Sequence, residues 1–473
     1  MAKAKEVLTK TSSSAELLSY IINQTPELRE NIKLPVQGQA IIEIGKLIMD
    51  NQRYKNAFLN TVNLIGLTVI TRNTWDTPWE EFTDKGTLSY GQQIREVITD
   101  IADVYDYNQE LARENGFINT VVPNVLQYIH NLNFQKFYKT TTSDSQMAMA
   151  FENDDLFSLI DEIIGSLYEA LKYDKYQVNK YMLARRILDG TVTALQIANF
   201  GSKTDREVVA DIKAVSNRMT FRSPNFNPAG IRKATRFEDQ FAIVSTEFDA
   251  KFTTSVLSTS YFRSDAELKS NMALIDGFGN LDDSRLAEIF AKRDSSGAVI
   301  PNQYLDGYVP LSSAEKADLN EVPCVIIGRD FFQNYAYPFD NGSPEKATEF
   351  YNPQTLKKNH WLHFWGVFST SPFENGVVFT QDAQGVTSIS VSPSTATLDS
   401  GSVKLTATVV TTGFANKAVT WSSSDTNGKV TVDADGVVTV ASGATAGNYT
   451  ITATSVYDNT VTGTATITVP SAE

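Results

Sequence analysis

The sequence is poorest in the residues that carry chemistry. In 473 residues it holds one cysteine, Cys324, and three histidines. A single thiol cannot close an intrachain disulfide. Stability must come from packing or assembly, and the fold suits a reducing compartment. Long hydrophobic runs are missing too: nothing approaches the ~20 apolar residues that a bilayer-spanning helix needs, so no membrane partner is expected. The opening MAKAKEVLTKTSSSAELL has lysines but no apolar core or small-residue cleavage site behind them, so no signal peptide is expected. There is no basic excess. The formal charge of −14 argues against a broad grip on nucleic acid, because neutralising phosphates takes clustered Lys and Arg. No nucleophile elbow, phosphate loop, H-E-x-x-H or dinucleotide fingerprint occurs in strand–turn–helix context.

What is present reads as a soluble globular chain of two or more domains, with 42% hydrophobic and 20% charged residues. Residues 1–60 look like an arm: SSSAELL starts a short helix, Pro26 and Pro35 interrupt it, and a second helix fits 39–59. LIGLTVITR (64–72) predicts a strand. The stretch after it, NTWDTPWEEFTDKGTLSYGQQI, alternates turn residues with aromatics, which predicts a long hairpin over 72–95. Trp75, Trp79, Phe82 and Tyr90 would then be exposed anchors for a neighbouring subunit, the alternative being that the tryptophans fold back onto their own domain. Residues 153–189 predict a long helix, with Leu156, Leu159, Ile160, Ile163, Ile164, Leu167 and Leu171 at helical spacing and Gly190 as its stop. Residues 200–320 mix strands such as QFAIVST and FTTSVLS with helices such as LDDSRLAEIFAKR, an α+β pattern. PCVIIG, HWLHFWGVFSTSP and GVVFT, within 321–385, predict buried strands.

Three groups invite a chemical reading, and each has a plainer one. His360 and His363 stand three apart in a stretch that reads as a strand, which sends them to opposite faces, so no metal is expected. The acids of WDTPWEEFTD (Asp76, Glu80, Glu81, Asp84) have no second acid cluster placed opposite for glycoside hydrolysis. Lys172, Lys175, Lys180, Arg185 and Arg186 read as a solvated or subunit-facing helix surface before a nucleic-acid one. Cys324 reads as a small core residue. No cofactor is called for.

Near Val386 the composition changes. The last 88 residues hold 20 threonines and only three basic residues, Lys404, Lys417 and Lys429. Alternating segments (SISVSP, VKLTATVV, VTWSSS, GVVTVAS, YTITATS, TGTATITV) predict six or seven strands of a β-sandwich, with Trp421 as its core anchor.

These segments, in this order over 386–469, resemble the bacterial Ig-like group 2 (BIG2) family: an xIxVSP strand, G-x-x-x-L-T-A, VTWSSS, D-x-x-G-x-V-T-V and xTITATS. The resemblance implies an adhesive sandwich without catalysis of its own. Upstream, RNTWDTPWEEF after LIGLTVI, TDIADVYDYNQ, PCVIIGRDFF and HWLHFWGVFSTSPFENGVVF resemble the major capsid proteins of phi-29-like short-tailed phages (podoviruses). That resemblance implies a Hong Kong 97-type capsid fold over 1–385, with an N-terminal arm (1–60), extended loop (72–95), spine helix (153–189), axial domain (mainly 200–320) and return strands of the peripheral domain (321–385). Residues 386–473 would then decorate or clamp the outer surface.

The function so implied is that of a virion head protein, assembled in the bacterial host cytoplasm and not an enzyme. It would self-assemble into hexamers and pentamers of an icosahedral or prolate shell enclosing double-stranded DNA, without sequence-specific binding. A separate scaffolding protein and a portal are expected partners, and the Ig-like module can also touch the host cell surface. No Lys–Asn crosslink is carried over. The competing readings are a phage tail structural protein, against which the long helix argues, and a cell-surface adhesin or polysaccharide-degrading enzyme, against which the missing signal argues.

Overall fold

Gly190 ends the longest helix among the described residues. In the computed structural model, this helix, Ser166–Leu188, runs for 23 residues. Gly190 takes φ +67°, and the Gly190 and Thr191 amides each donate at 3.0 Å to the carbonyls of Ile187 and Arg186. That left-handed cap is the one glycine adopts without a Cβ penalty, as the sequence predicts. The structure describes residues 18–19, 21–23, 26–29, 40–51, 53–55, 58, 79–89, 94–101, 125–130, 133–143, 165–252, 271–294, 299–305, 308–339, 343–352, 354–355 and 357–470. The predicted start of the long helix and the strand at 64–72 lie outside them. The chain divides into two compact units: residues 1–94, 130–178 and 333–369 form one, and 95–129, 179–332 and 370–473 the other.

The first unit is organised by HWLHFWGV, which sits in the strand Lys357–Val367. Asn133–Ser143 pairs with it antiparallel along its whole length, and Glu345–Asn352 pairs with it on the other edge. Asn334–Ala336 continues that edge and pairs in parallel with Asp84–Thr87. The pleat sorts the side chains. Lys358, His360, Leu362 and Phe364 are buried on one face, while Trp361, His363 and Trp365 stay half-buried on the other. The buried face packs on the long helix: Tyr138 Oη donates to Asp174 Oδ2 at 2.8 Å, and Lys175 Nζ lies 4.5 Å from the Phe364 ring centre. The predicted strand is therefore present but only one-sidedly buried.

In the second unit PCVIIG and GVVFT become the buried strands Cys324–Gly328 and Gly376–Thr380, as predicted. The sheet order is Thr193–Gln196, Gly376–Thr380, Cys324–Gly328, Gln240–Ser245, Met272–Ile275. Helix Asp205–Met219, started by a Thr204/Glu207 capping box, buries Val208, Val215 and Met219. They join Ile326, Val377 and Phe379 in one core that includes Cys324. Burial pushes that thiol up to about 12, so it is an inert core residue. Of FTTSVLS, Phe252 closes a helix, Thr246–Phe252, and the rest lies outside the described residues.

Residues 385–469 of the second unit form a sandwich of nine strands, more than the six or seven expected. Its centre is aliphatic: Leu405, Val438, Ile451, Ala453 and Ile467 are almost fully buried. Trp421 packs against this core but remains half-buried, so it closes the core's edge instead of filling its centre. The motif residues have local causes. Asp425 Oδ2 accepts from the amides of Lys429 and Val430 at 2.6 and 2.7 Å, and Oδ1 from Asn427 at 2.9 Å, which folds the loop after WSSSD. Those amides hold the Asp425 carboxyl below the usual range. In DADG, Asp433 Oδ1 accepts from Asp435 and Val437, and Gly436 stands at φ +78°. A Cβ at Gly436 would lie 2.6 Å from the Leu405 carbonyl oxygen and 3.0 Å from the Trp421 ring. Gly436→Ala is therefore expected to destabilise the sandwich by more than the ~1–2 kcal/mol of left-handed strain alone. A fall in the sandwich's calorimetric transition of more than a few degrees is the check, and an unchanged transition would refute it.

Candidate assembly surfaces

Of the predicted anchors, the two that the structure describes, Trp79 and Phe82, are buried. Trp79 and Phe82 are 1% and 2% exposed within their own chain, and Trp75 and Tyr90 lie outside the described residues. The reason is a helical turn, Glu80–Thr83, where a hairpin tip was expected. It turns Trp79 onto Tyr176 of the long helix, edge to face at 5.3 Å, with Phe82 at 5.8 Å. Two of the helix's basic residues hold the same turn: Lys172 reaches Glu80 at 3.7 Å and Lys175 reaches Asp84 at 3.5 Å.

The other cations predicted to form a solvated face are also engaged within their own unit. Lys180 is buried and bonds Asp276. Arg185 pairs with Asp189 and Glu315 at 3.4 and 3.5 Å, and Arg186 Nε donates to Thr370 at 2.6 Å. Glu80 and Asp84, weighed as catalytic acids, thus serve as ion-pair partners. His360 is buried beside Glu349 and Lys358, and burial pushes its pKa down to about 4. His363 faces the other way, so the two histidines do not converge.

Among the described residues, a contiguous exposed aromatic surface lies instead on the outer face of the first unit's sheet. Phe137 is 64% and Phe350 60% exposed, large values for phenylalanine on a regular strand. Between them stand Trp361, His363 and Trp365. The register places Phe137 opposite His363, with ring centres 6.1 Å apart, and Lys139 opposite Trp361, its ammonium 5.7 Å from the ring. Thr348 Oγ1 and His363 Nε2 share a 2.9 Å hydrogen bond, Thr141 Oγ1 donates to Asn359 Oδ1 at 2.8 Å, and Tyr337 lies 4.8 Å from Trp365. Burial, then the Lys346 charge, lowers the His363 pKa, so the ring is neutral near pH 7. The named positions are aromatic, amide, hydroxyl or lysine, and none is acidic. Sequence reading missed this face because an aromatic run on both sides of a strand looks like a doubly buried one.

A second exposed apolar element, residues 95–129 of which belong to the second unit, is a two-stranded ribbon of Ile94–Thr99 with Val125–His130. Val97 and Leu126 are exposed on it, and Ile101 just beyond its end. Its base is tied down: Ser371 Oγ donates to Glu96 at 2.8 Å, and Arg232 reaches Asp100 at 3.1 Å. The Ile101 amide and Arg232 keep the Asp100 carboxyl below its usual range. These two surfaces offer apolar area rimmed by charge, the composition of protein–protein contacts.

Comparison with known proteins gives two family matches. The model of the Phi29-like phage major capsid protein matches residues 20–380, and that of the bacterial Ig-like domain (group 2) matches 385–469. The chain is 26% identical over 400 residues to the major capsid protein of Bacillus phage GA-1, covering 82% of this chain and 75% of the relative. It is 26% identical over 264 residues to that of Streptococcus phage Cp-1, covering 52% and 71%. Among solved structures, a chain in the capsid of Staphylococcus phage Andhra is similar at a TM-score of 0.47 and 10% identity, over 65% of this chain and 85% of the other.

Proposed function

This chain belongs to the Phi29-like phage major capsid protein family, and from that premise we propose which of its surfaces build the shell. It is a structural protein of the phage head, a virion component assembled in the host cell from many copies. Its relatives are structural capsid proteins. In our reading the body has the Hong Kong 97-type arrangement, carries no catalysis, and forms hexamers and pentamers around double-stranded DNA. The long helix is its spine. The ribbon of Ile94–Thr99 and Val125–His130 takes the part of the projecting loop. A separate scaffolding protein and a portal complete the assembly, and the Ig-like sandwich clamps or decorates the outside.

The observation that carries the reading is the outer sheet face. Phe137 and Phe350 are each more than half exposed, beside half-buried tryptophans and two lysines, on a chain of charge −14. An exposed aromatic patch is costly to leave in water and typical of contact hot spots. Its lysines complement the acidic surface of another copy. The same charge balance suits a DNA container. The basic residues of the long helix are engaged in their own units, and a net charge of −14 gives packaged DNA little overall attraction to the subunit. The test is electron microscopy of the full chain co-expressed with its neighbouring genes. Closed shells of uniform size are expected; a monodisperse monomer under every condition would overturn the reading.

A further inference from the structure

A tandem Ig-like module is ordinarily pictured as a bead on a tether. Here the connection 381–384 between Gly376–Thr380 and the sandwich's first strand, Gly385–Ser392, is four residues long. The loop 413–418 of the sandwich approaches the end of the long helix within the same unit. A Cβ built on Gly190 would meet Asn416 Cα at 2.4 Å and the Ala415 carbonyl oxygen at 2.6 Å. So backbone lies against backbone, in a gap only glycine leaves open. The Lys417 amide donates to the Asp189 carbonyl at 3.4 Å, a long bond on one of the helix's last free acceptors.

Two further observations point the same way. Phe414 and Ala415 are 5% and 1% exposed, yet neither is among the buried residues of the sandwich's own core. The connection is also fixed: Gln384 Oε1 accepts from the Phe414 amide at 2.6 Å, its Nε2 donates to Asp382 O at 2.7 Å, and Tyr457 Oη donates to Gln384 O at 3.4 Å. Charge agrees as well. Burial works to raise the Glu315 carboxyl, but Ser312's hydrogen bonds, Arg185 and Lys417 together hold it below the usual range.

We infer that the Ig-like sandwich is a seated module: residues 414–417 form a plug that sits in a socket at Asp189–Gly190, so the sandwich moves with the rest of the second unit instead of swinging on a tether. The inference concerns the single subunit and stands apart from the shell contacts proposed above. Its consequence is that every copy presents the sandwich in one orientation. A partner touching it is spared the entropy of ordering a tether.

Gly190 and Gly230 make a matched pair for the test. Both stand at φ +67°, but a Cβ at Gly230 meets nothing within 4 Å. Alanine strains the backbone equally at both, and only at Gly190 does it strike the plug. Amide hydrogen exchange of the full chain is the readout. Slow exchange at 414–417 is expected in the unaltered chain and in Gly230→Ala. At least a tenfold acceleration there is expected in Gly190→Ala, with the sandwich strands unchanged. Ala415→Arg unseats the plug from its own side without touching the helix cap, and should accelerate the same amides even if Gly190→Ala fails to fold. Fast exchange at 414–417 in the unaltered chain, or no acceleration in Ala415→Arg, would overturn the inference.

Discussion

Phe137→Asp combined with Phe350→Asp is expected to abolish closed shells while leaving the subunit folded. Both rings are mostly in water in the isolated chain, so their loss costs the monomer little, within about 0.5 kcal/mol for surface changes away from special features. In the shell the balance reverses. A central aromatic anchor is worth ~2 kcal/mol or more, and a carboxylate in its place must be desolvated without a partner. The penalty recurs at every copy, so even a modest loss per contact multiplies across a closed shell. The checks are a thermal transition within a degree or two of the unaltered chain, and sedimentation with electron microscopy showing subunits without shells. Phe137→Leu, which keeps apolar area, should assemble. Shells forming from the double variant at the usual concentration would remove this face from the list of contacts.

Much of the architecture was legible because its causes are local. Gly190 as a stop, the buried strands around Cys324 and Val377, and the opposite-facing His360 and His363 all follow from periodicity or from one residue's backbone freedom. The sandwich was legible motif by motif, since Asp425, Asp433 and Gly436 act within a few residues of themselves. What failed were claims that depend on distant parts of the chain. WDTPWEEFTD looks like an exposed tip because its turn residues are local, whereas the ring that covers Trp79 belongs to Tyr176, about a hundred residues away. The cations of the long helix look free for the same reason: their partners Glu80, Asp84, Asp276 and Glu315 come from elsewhere in sequence. The error on the outer sheet face has a different origin. Alternation tells two faces apart only when one is polar, and Phe137, Trp361, Trp365 and Phe350 make both faces apolar.

Trp79→Ala is expected to lower the stability of the first unit by ~3–5 kcal/mol, the usual cost of emptying a fully buried aromatic site. That is a large share of the roughly 5–15 kcal/mol that holds a typical domain together. The magnitude decides which interaction fixes the turn at 79–83. The ion pairs Lys172–Glu80 and Lys175–Asp84 are long and partly exposed, and pairs of that kind contribute about 0–1 kcal/mol. Lys172→Ala should therefore shift the thermal transition by little, and Trp79→Ala by far more. The same pair of variants separates the two roles a tryptophan can have in this segment. If Trp79 anchored a neighbour, its loss would spare the isolated subunit's transition and impair only assembly. Packed at 5.3 Å on Tyr176 and 1% exposed, it should do the reverse. The purified subunit should melt early or fail to accumulate, and any reduction in shells should follow from that loss. A subunit of unchanged stability would return Trp79 to the interface.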